Sequence, residues 1–141
     1  FAACPFCATR VREVIARWSD IDASRAQFVG VFPSEVEAIN KYIVKYEPRF
    51  RIVSDTSERL YQKYKAETSW MAEFRTALNI PKVVTALAKA PNSPLAADGT
   101  FNRVPCEFLI HQGSIVHAYY GKTLDDGENI DSMLERIAAL D

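Results

Sequence analysis

Two cysteines near the start of the chain have the spacing of a redox-active dithiol. Cys4 and Cys7 are separated by Pro5 and Phe6, and a segment with helical periodicity follows them directly. A cysteine reacts as its thiolate, and an ordinary thiol with a pKa of about 8.5 is mostly protonated at neutral pH. The unpaired N–H groups and the dipole at a helix N-terminus stabilise the anion. The spacing therefore predicts Cys4 as the nucleophile and Cys7, one turn later, as the thiol that resolves its adduct.

The same C-x-x-C spacing also occurs in zinc sites and in buried structural cysteine pairs. A structural zinc ion takes four ligands, and the sequence has neither a second C-x-x-C pair nor an H-x-x-x-H motif. Pro5 favours the redox interpretation, because a proline loses no intrahelical hydrogen bond in the first turn of a helix. We therefore predict a redox dithiol that needs no metal and no organic cofactor.

The composition of the chain indicates one globular domain. Its 141 residues are 48% hydrophobic and 25% charged, and the formal net charge is -1. This balance lacks the excess of Lys and Arg expected of a nucleic-acid or membrane-surface protein. No apolar run approaches the roughly 18 residues of a membrane helix. The chain has 3 cysteines, whereas a secreted disulfide scaffold usually has a larger and even number. We therefore expect a reducing, cytoplasmic location.

The periodicity of the chain predicts the elements that position the dithiol. Strands alternate with helices, which favours an α/β fold with a central mixed sheet and helices on both faces. We expect a single domain over residues 1–141, with a helical and loop insertion at about 68–103 that is interrupted at Pro81. The other predicted elements are the end of a truncated first strand at Phe1 and Ala2, a helix from Cys4 with Val11, Val14, Ile15 and Trp18 inside, a buried strand over 27–32, a helix from a Ser34–Glu37 capping box to about Tyr46, a strand over 51–53, an Asp55–Ser57 turn or cap, a helix with Leu60, Tyr61 and Tyr64, a strand over 106–110, a Gln112–Gly113 hairpin turn, a returning strand over 115–120, and a final helix capped by Asp131.

Several segments of the chain resemble one family in the same order along the sequence. The segments are FVGVFPSEVEAINKYIVKYEPRFRIVSD, YQKYKAETSW, VPCEFLIHQGSIVHAYYGK and NIDSMLERI. They resemble the peroxiredoxin-like branch of the alkyl hydroperoxide reductase/thiol-specific antioxidant superfamily, over nearly the whole chain. The resemblance implies a thioredoxin fold and thiol-dependent reduction of a peroxide or disulfide. It also implies a thioredoxin-type dithiol or glutathione as the reductant.

The resemblance also directs attention to residues 103–106. In thioredoxin-like folds a cis-proline faces the dithiol and precedes a strand, and Val104-Pro105 precedes a predicted strand here, so we expect a cis bond. Cys106 is either a third redox thiol or a small buried apolar residue. Arg103 is the candidate for the active-site arginine of the family. Further basic residues that could lower a thiol pKa are Arg10 and Lys122.

The sequence departs from the family at one important position. Typical peroxiredoxins have a threonine three residues before the attacking cysteine, where this chain has Phe1, which implies slower peroxide chemistry. The CPFC motif and the Val104-Pro105 pair also resemble glutaredoxins. A glutaredoxin- or thioredoxin-like disulfide reductase with little peroxidase activity therefore stays open.

An alternative of another class is a redox-sensing or metal-binding module with the three cysteines as ligands. Exposed strand edges make a homodimer reasonable. We expect structural roles for His111 and His117, and a solvated acidic loop at Asp125, Asp126 and Glu128.

Overall fold

Helices alternate with strands along the chain, as the periodicity predicts. The computed structural model describes residues 1–66, 80–89 and 103–140. The elements are α1 (Pro5–Ala16), α2 (Trp18–Ala23), β1 (Val29–Phe32), α3 (Val36–Tyr42) with a 3-10 turn (Val44–Tyr46), β2 (Arg51–Ser54), α4 (Arg59–Lys63), α5 (Ile80–Lys89), β3 (Cys106–His111), β4 (Ser114–Tyr120) and α6 (Ile130–Ala138).

The strands form two separate pairs in the part of the chain that the structure describes. β1 and β2 are parallel, with Val29 opposite Arg51, whereas β3 and β4 are antiparallel, with Cys106 opposite Tyr120. The predicted single central sheet is therefore not continuous within these residues. The prediction placed the end of a strand at Phe1 and Ala2, but these residues form a turn. The turn is closed by a hydrogen bond of 3.1 Å from the Cys4 N–H to the Phe1 carbonyl.

The hydrophobic core is built against one face of α1. Val11 and Val14 are buried as predicted, and Ala8 joins them at helical spacing. Ile15 is half-buried, and Trp18, which was predicted in the same helix, begins α2 instead. Partly buried Trp18 and Phe28 extend this core through ring contacts with Phe50, at centroid distances of 5.8 and 4.8 Å. The buried cluster consists of Ala2, Ala8, Val11, Val14, Ile21, Phe32, Ile39, Ile43 and Phe50. Because its apolar face is buried along its length, α1 holds the residues at its N-terminus in a defined place.

The predicted capping box at Ser34 is wrong. The residue that precedes α3 is Glu35, which makes no capping hydrogen bond through its side chain. Ser34 is fully buried instead, and its hydroxyl accepts a hydrogen bond of 2.8 Å from the N–H of Ala2. A capping motif reports only on neighbours within one turn, whereas this hydroxyl is paired with a donor from a distant part of the chain.

The other predicted caps and turns have mixed outcomes. Asp55 is confirmed as a cap, because its carboxylate accepts hydrogen bonds from backbone N–H groups at the start of α4. The Gln112-Gly113 turn is confirmed, with φ values of 50° and 78° that suit a two-residue hairpin. Asp131 does not cap α6; Asn129 does, accepting the Asp131 N–H at 2.8 Å. Asp131 lies in the first turn of that helix.

Most of the predicted insertion at about 68–103 lies outside the described residues, including 68–79 and 90–102. Helix α5 falls within it, and Pro81 is in the first turn of this helix, where a proline is tolerated. Pro81 therefore does not interrupt α5. A search of the described residues found no helix with the length and apolar character needed to cross a membrane.

Candidate active site around the Cys4–Cys7 dithiol

The two cysteines of the C-x-x-C motif lie at the N-terminus of α1. Cys4 is the N-cap residue, with an extended backbone, and Pro5 is the first residue of the helix. The Cys4 carbonyl accepts the first helical hydrogen bond, from the N–H of Ala8 at 3.0 Å. Cys7 lies in the first turn, and both cysteines are free and half-buried. The structure therefore places the two thiols side by side at the helix start, as the spacing predicts.

A hydrogen bond between the two thiols separates their pKa values. The Cys4 thiol donates to the Cys7 sulfur, and mainly for this reason the pKa of Cys7 is lowered from its ordinary value to about 6. The same hydrogen bond, followed by burial and by the negative charge on Cys7, raises the pKa of Cys4 well above its ordinary value. The pair therefore loses one proton readily and holds the second.

This division of charge differs from the sequence-based expectation, which gave the lower pKa to Cys4. That expectation considered one thiol at a helix N-terminus. In the folded protein, the strongest influence on each sulfur is the other sulfur of the pair. The two thiols therefore behave as one titrating unit that shares a proton.

The lowered pKa predicts how the reactivity of the pair depends on pH. Because the first ionisation has a pKa of about 6, the pair is protonated below that pH and is a monoanion above it. We expect its alkylation by iodoacetamide to rise through about pH 6 and to level off by about pH 7. Mass spectrometry of the alkylated peptides would measure this rate. Cys106 is an internal control, because burial raises the pKa of its thiol. A rise for the Cys4–Cys7 peptide only in the range of ordinary thiols would contradict the prediction.

Tyr61 lies within electrostatic range of both Cys7 and Cys106. Its hydroxyl donates a hydrogen bond of 2.8 Å to the Val31 carbonyl. Burial raises the pKa of Tyr61, and negative charges on Cys7 and on Cys106 raise it further, so both sulfurs are within electrostatic range of this phenol. Burial also raises the pKa of Cys106, which keeps it a neutral thiol and agrees better with the apolar interpretation of Cys106 than with a third nucleophile.

Arg103 binds residues on both sides of α4. Its guanidinium donates to the Ala66 carbonyl at 2.7 Å, forms an ion pair with Glu58, and lies 4.8 Å from the centre of the Tyr61 ring. The positive charge of Arg103 lowers the pKa of Cys106, although burial of that thiol has the larger effect. The structure thus brings Arg103 to Tyr61 and Cys106, while its hydrogen bonds are made to the two ends of α4.

The predicted cis bond at Pro105 is wrong. Val104 is buried and the Val104–Pro105 peptide bond is trans. The Pro105 carbonyl accepts a hydrogen bond of 2.8 Å from the N–H of Gly121, and a Cβ on Gly121 would lie 3.2 Å from Pro105 Cδ. A Val-Pro pair before a strand does not determine the isomer, and trans is the favoured form of most X–Pro bonds.

A partly buried ionic cluster, one turn after the dithiol along α1, was not predicted from the sequence. Arg10, one turn after Cys7 on α1, donates to the Glu107 carboxylate at 2.8 Å and to the Glu128 carbonyl at 2.7 Å. The pKa of Glu107 is raised by burial, and Arg10 opposes this increase. A Cβ on Gly127 would lie 3.0 Å from both Arg10 Nε and Glu107 Oε1, so the absence of a side chain there permits the close approach. The partners of Arg10 are 97 and 118 residues away, and no local motif indicates them.

The acidic loop near residue 126 is not fully solvated, contrary to prediction. Glu128 is buried, and its carboxylate contacts His117 Nε2 at 2.8 Å and Arg136 Nε at 3.3 Å, so His117 has the structural role expected of it. Asp126 accepts hydrogen bonds of 2.7 Å from the Tyr119 hydroxyl and from a backbone N–H.

Across residues 1–66, 80–89 and 103–140, no group of three His, Cys, Asp or Glu side chains is arranged to hold a metal ion.

The comparisons with known proteins give one match. A model of the AhpC/TSA family matches residues 1–117, from the turn before the dithiol into β4. Neither the curated proteins nor the solved structures gave a significant match.

Proposed function

The chain belongs to the AhpC/TSA family, a family with a thioredoxin-like fold and typically thiol-dependent oxidoreductase activity, and on this basis we propose that it reduces peroxides or disulfides with the Cys4–Cys7 dithiol. The observation that carries the proposal is the proton-sharing pair of thiols at the N-terminus of α1. A first ionisation with a pKa of about 6 supplies a thiolate at neutral pH without a metal or a cofactor.

We assign the attack to Cys4 and the resolving step to Cys7. Movement of the shared proton from Cys4 to Cys7 along their hydrogen bond leaves the charge on Cys4. The backbone N–H of Cys7 donates a hydrogen bond to the Cys4 sulfur, which lowers the pKa of Cys4. This effect opposes the larger increases caused by the Cys7 side chain and by burial. Cys4 precedes the helix, whereas Cys7 is within its first turn, so Cys4 is better placed for an incoming substrate.

With a peroxide, the Cys4 thiolate attacks one oxygen and the O–O bond breaks. Cys4 becomes a sulfenic acid, and the departing hydroxide or alkoxide takes up a proton. The Cys7 sulfur then attacks the Cys4 sulfur, forming the Cys4–Cys7 disulfide and releasing water. A thioredoxin-type dithiol or glutathione returns the pair to the reduced state. We place this cycle in the cytoplasm, in a monomer or a homodimer.

A second candidate function is disulfide reduction with little peroxidase activity. Two observations favour it: Phe1 occupies the position of the family threonine, and the guanidinium of Arg103 is bound by Glu58 and the Ala66 carbonyl. In this reaction the Cys4 thiolate attacks a disulfide sulfur and releases one thiol. Cys7 then displaces the second thiol from the mixed disulfide, leaving the same Cys4–Cys7 bond.

The experiment that tests the proposed function is oxidation of the fully reduced protein by one equivalent of hydrogen peroxide. Stopped-flow mixing and mass spectrometry would follow formation of the Cys4–Cys7 disulfide, with oxidised glutathione as a parallel oxidant. We expect the disulfide to form about tenfold faster than an ordinary thiol is oxidised at neutral pH, because the pair is already ionised whereas only a few per cent of an ordinary thiol is. Rapid oxidation by glutathione disulfide alone would select the second candidate. Oxidation by both at the rate of a free cysteine would contradict both candidates.

A further inference from the structure

Ser34 connects the dithiol turn to the rest of the fold. Its side chain is 0% exposed, and so is that of Ala2, whose N–H donates to the Ser34 hydroxyl at 2.8 Å. A buried backbone N–H without an acceptor costs about 1–3 kcal/mol, so this hydrogen bond has a strong effect on where Ala2 can lie. The residues are 32 positions apart, and the contact therefore joins two distant parts of the chain.

The position of Ser34 is itself fixed by the β1–β2 pair. Its carbonyl accepts a hydrogen bond of 2.6 Å from the hydroxyl of Ser54, the last residue of β2. The neighbouring Asp55 N–H donates to the Phe32 carbonyl at the end of β1, at 2.8 Å. Ser34 thus receives one hydrogen bond on its carbonyl from the sheet and one on its hydroxyl from the turn.

The turn that Ser34 holds leads directly into the dithiol. Ala2 is inside the four-residue turn from Phe1 to Cys4, and no side chain caps the helix at Cys4. The direction of the Cys4 backbone therefore depends on this turn. We propose that Ser34 is a positioning residue that, through the N–H of Ala2, holds the turn that leads into Cys4 and so keeps the Cys4 thiol beside Cys7. The inference rests on the proposed function only in that the thiolate is taken to attack a peroxide or a disulfide.

Removing the hydroxyl has a defined consequence. In Ser34→Ala the Ala2 N–H has lost its buried acceptor. The free energy of the turn is then lower when it moves so that water can accept this hydrogen bond. Cys4 then moves relative to Cys7, and the hydrogen bond between the thiols weakens. Since that bond is the main reason for the lowered pKa of Cys7, the pair becomes more like an ordinary dithiol.

The test compares iodoacetamide alkylation of the reduced dithiol in the wild type and in Ser34→Ala. We expect the variant to react at least about fivefold more slowly at about pH 6, which corresponds to a pKa increase of about one unit, and at nearly the same rate at about pH 9. Ser24→Ala is the matched control, because it removes another partly buried serine hydroxyl, whose 2.6 Å hydrogen bond goes to the nearby Ile21 carbonyl, and leaves the Ser34–Ala2 bond intact; it should react like the wild type. Ser34→Thr, which keeps a hydroxyl, should recover part of the rate at the lower pH.

Amide hydrogen exchange of Ala2, followed by NMR in the wild-type protein, is the second measurement, and it does not require Ser34→Ala to fold. We expect a protected amide. A freely exchanging Ala2 amide would overturn the proposal, as would wild-type alkylation at about pH 6 in Ser34→Ala or equal slowing in Ser24→Ala. Alkylation requires neither a peroxide nor a biological reductant. Failure of the positioning role is therefore distinguishable from failure of the proposed function.

Discussion

Cys4→Ser is expected to abolish the intramolecular disulfide and to slow peroxide- or disulfide-driven oxidation of the protein by about tenfold, to the rate of an ordinary thiol, because Cys7 and Cys106 remain. A hydroxyl in place of the thiol cannot form the sulfenic acid or the mixed disulfide. Cys7→Ser is expected to have a different effect. The first step persists and the adduct on Cys4 accumulates, because no second sulfur is present to resolve it.

Mass spectrometry of protein treated with oxidised glutathione separates the two steps. We expect one glutathione on Cys4 in Cys7→Ser and the intramolecular disulfide in the wild type. Cys106→Ser is the matched control and should oxidise like the wild type, since burial raises the pKa of that thiol. An adduct on Cys7 in Cys4→Ser, formed at the wild-type rate, would reverse the proposed roles. The lowered pKa of Cys7 makes this reversal the specific competing outcome.

Arg10→Ala is expected to lower the free energy of unfolding by about 1–3 kcal/mol, between the effects of breaking an exposed and a fully buried ion pair. The side chains of Arg10 and Glu107 are 22% and 16% exposed, so the remaining carboxylate has little access to water. The Glu128 carbonyl also loses its donor. Urea denaturation would measure the change.

The control for this prediction is Glu13→Ala. Glu13 also pairs with Arg10, but its side chain is 53% exposed, so we expect a loss of at most about 0.5 kcal/mol. The destabilisation by Arg10→Ala should shrink as the pH falls. Without Arg10 the pKa of the partly buried Glu107 rises further above its unfolded value, and its protonated form needs no cationic partner. If Arg10→Ala lowers the free energy of unfolding no more than Glu13→Ala does, or by an amount independent of pH, Arg10 does not stabilise the ionised Glu107 carboxylate.

Several features followed from short stretches of sequence because their causes are local. The burial of Val11 and Val14 follows from helical spacing, and Asp55 caps α4 because its carboxylate reaches the N–H groups just ahead of it. Gln112 and Gly113 tolerate the positive φ values of the tight hairpin turn. The mixed α/β order and the dithiol at the start of α1 were predictable on the same grounds.

The predictions that failed depended on neighbours that are distant in the chain. The Ser34 hydroxyl has the pattern of a helix cap, yet its donor is the N–H of Ala2. Glu128 is in an acidic stretch that would be solvated by itself, but His117 and Arg136 bury and pair its carboxylate. The trans bond at Pro105 was likewise not determined by the Val-Pro motif that suggested otherwise. The cap of α6 is an exception, because Asn129 caps this helix through the N–H groups of Asp131 and Ser132 and the predicted cap was only two residues away.

The sequence by itself determined which residues could do redox chemistry at this site and that a helix begins at them. Spacing and helix geometry suffice for both, since each involves residues within one or two turns. Only the tertiary structure decided how the charge divides between Cys4 and Cys7, and which groups hold Cys4 and α1 in place. The division depends on the contact between the two sulfurs and on their burial. The supports at Ser34 and Arg10 exist because folding packs segments that are far apart in the chain against the N-terminal half of α1 and its leading turn.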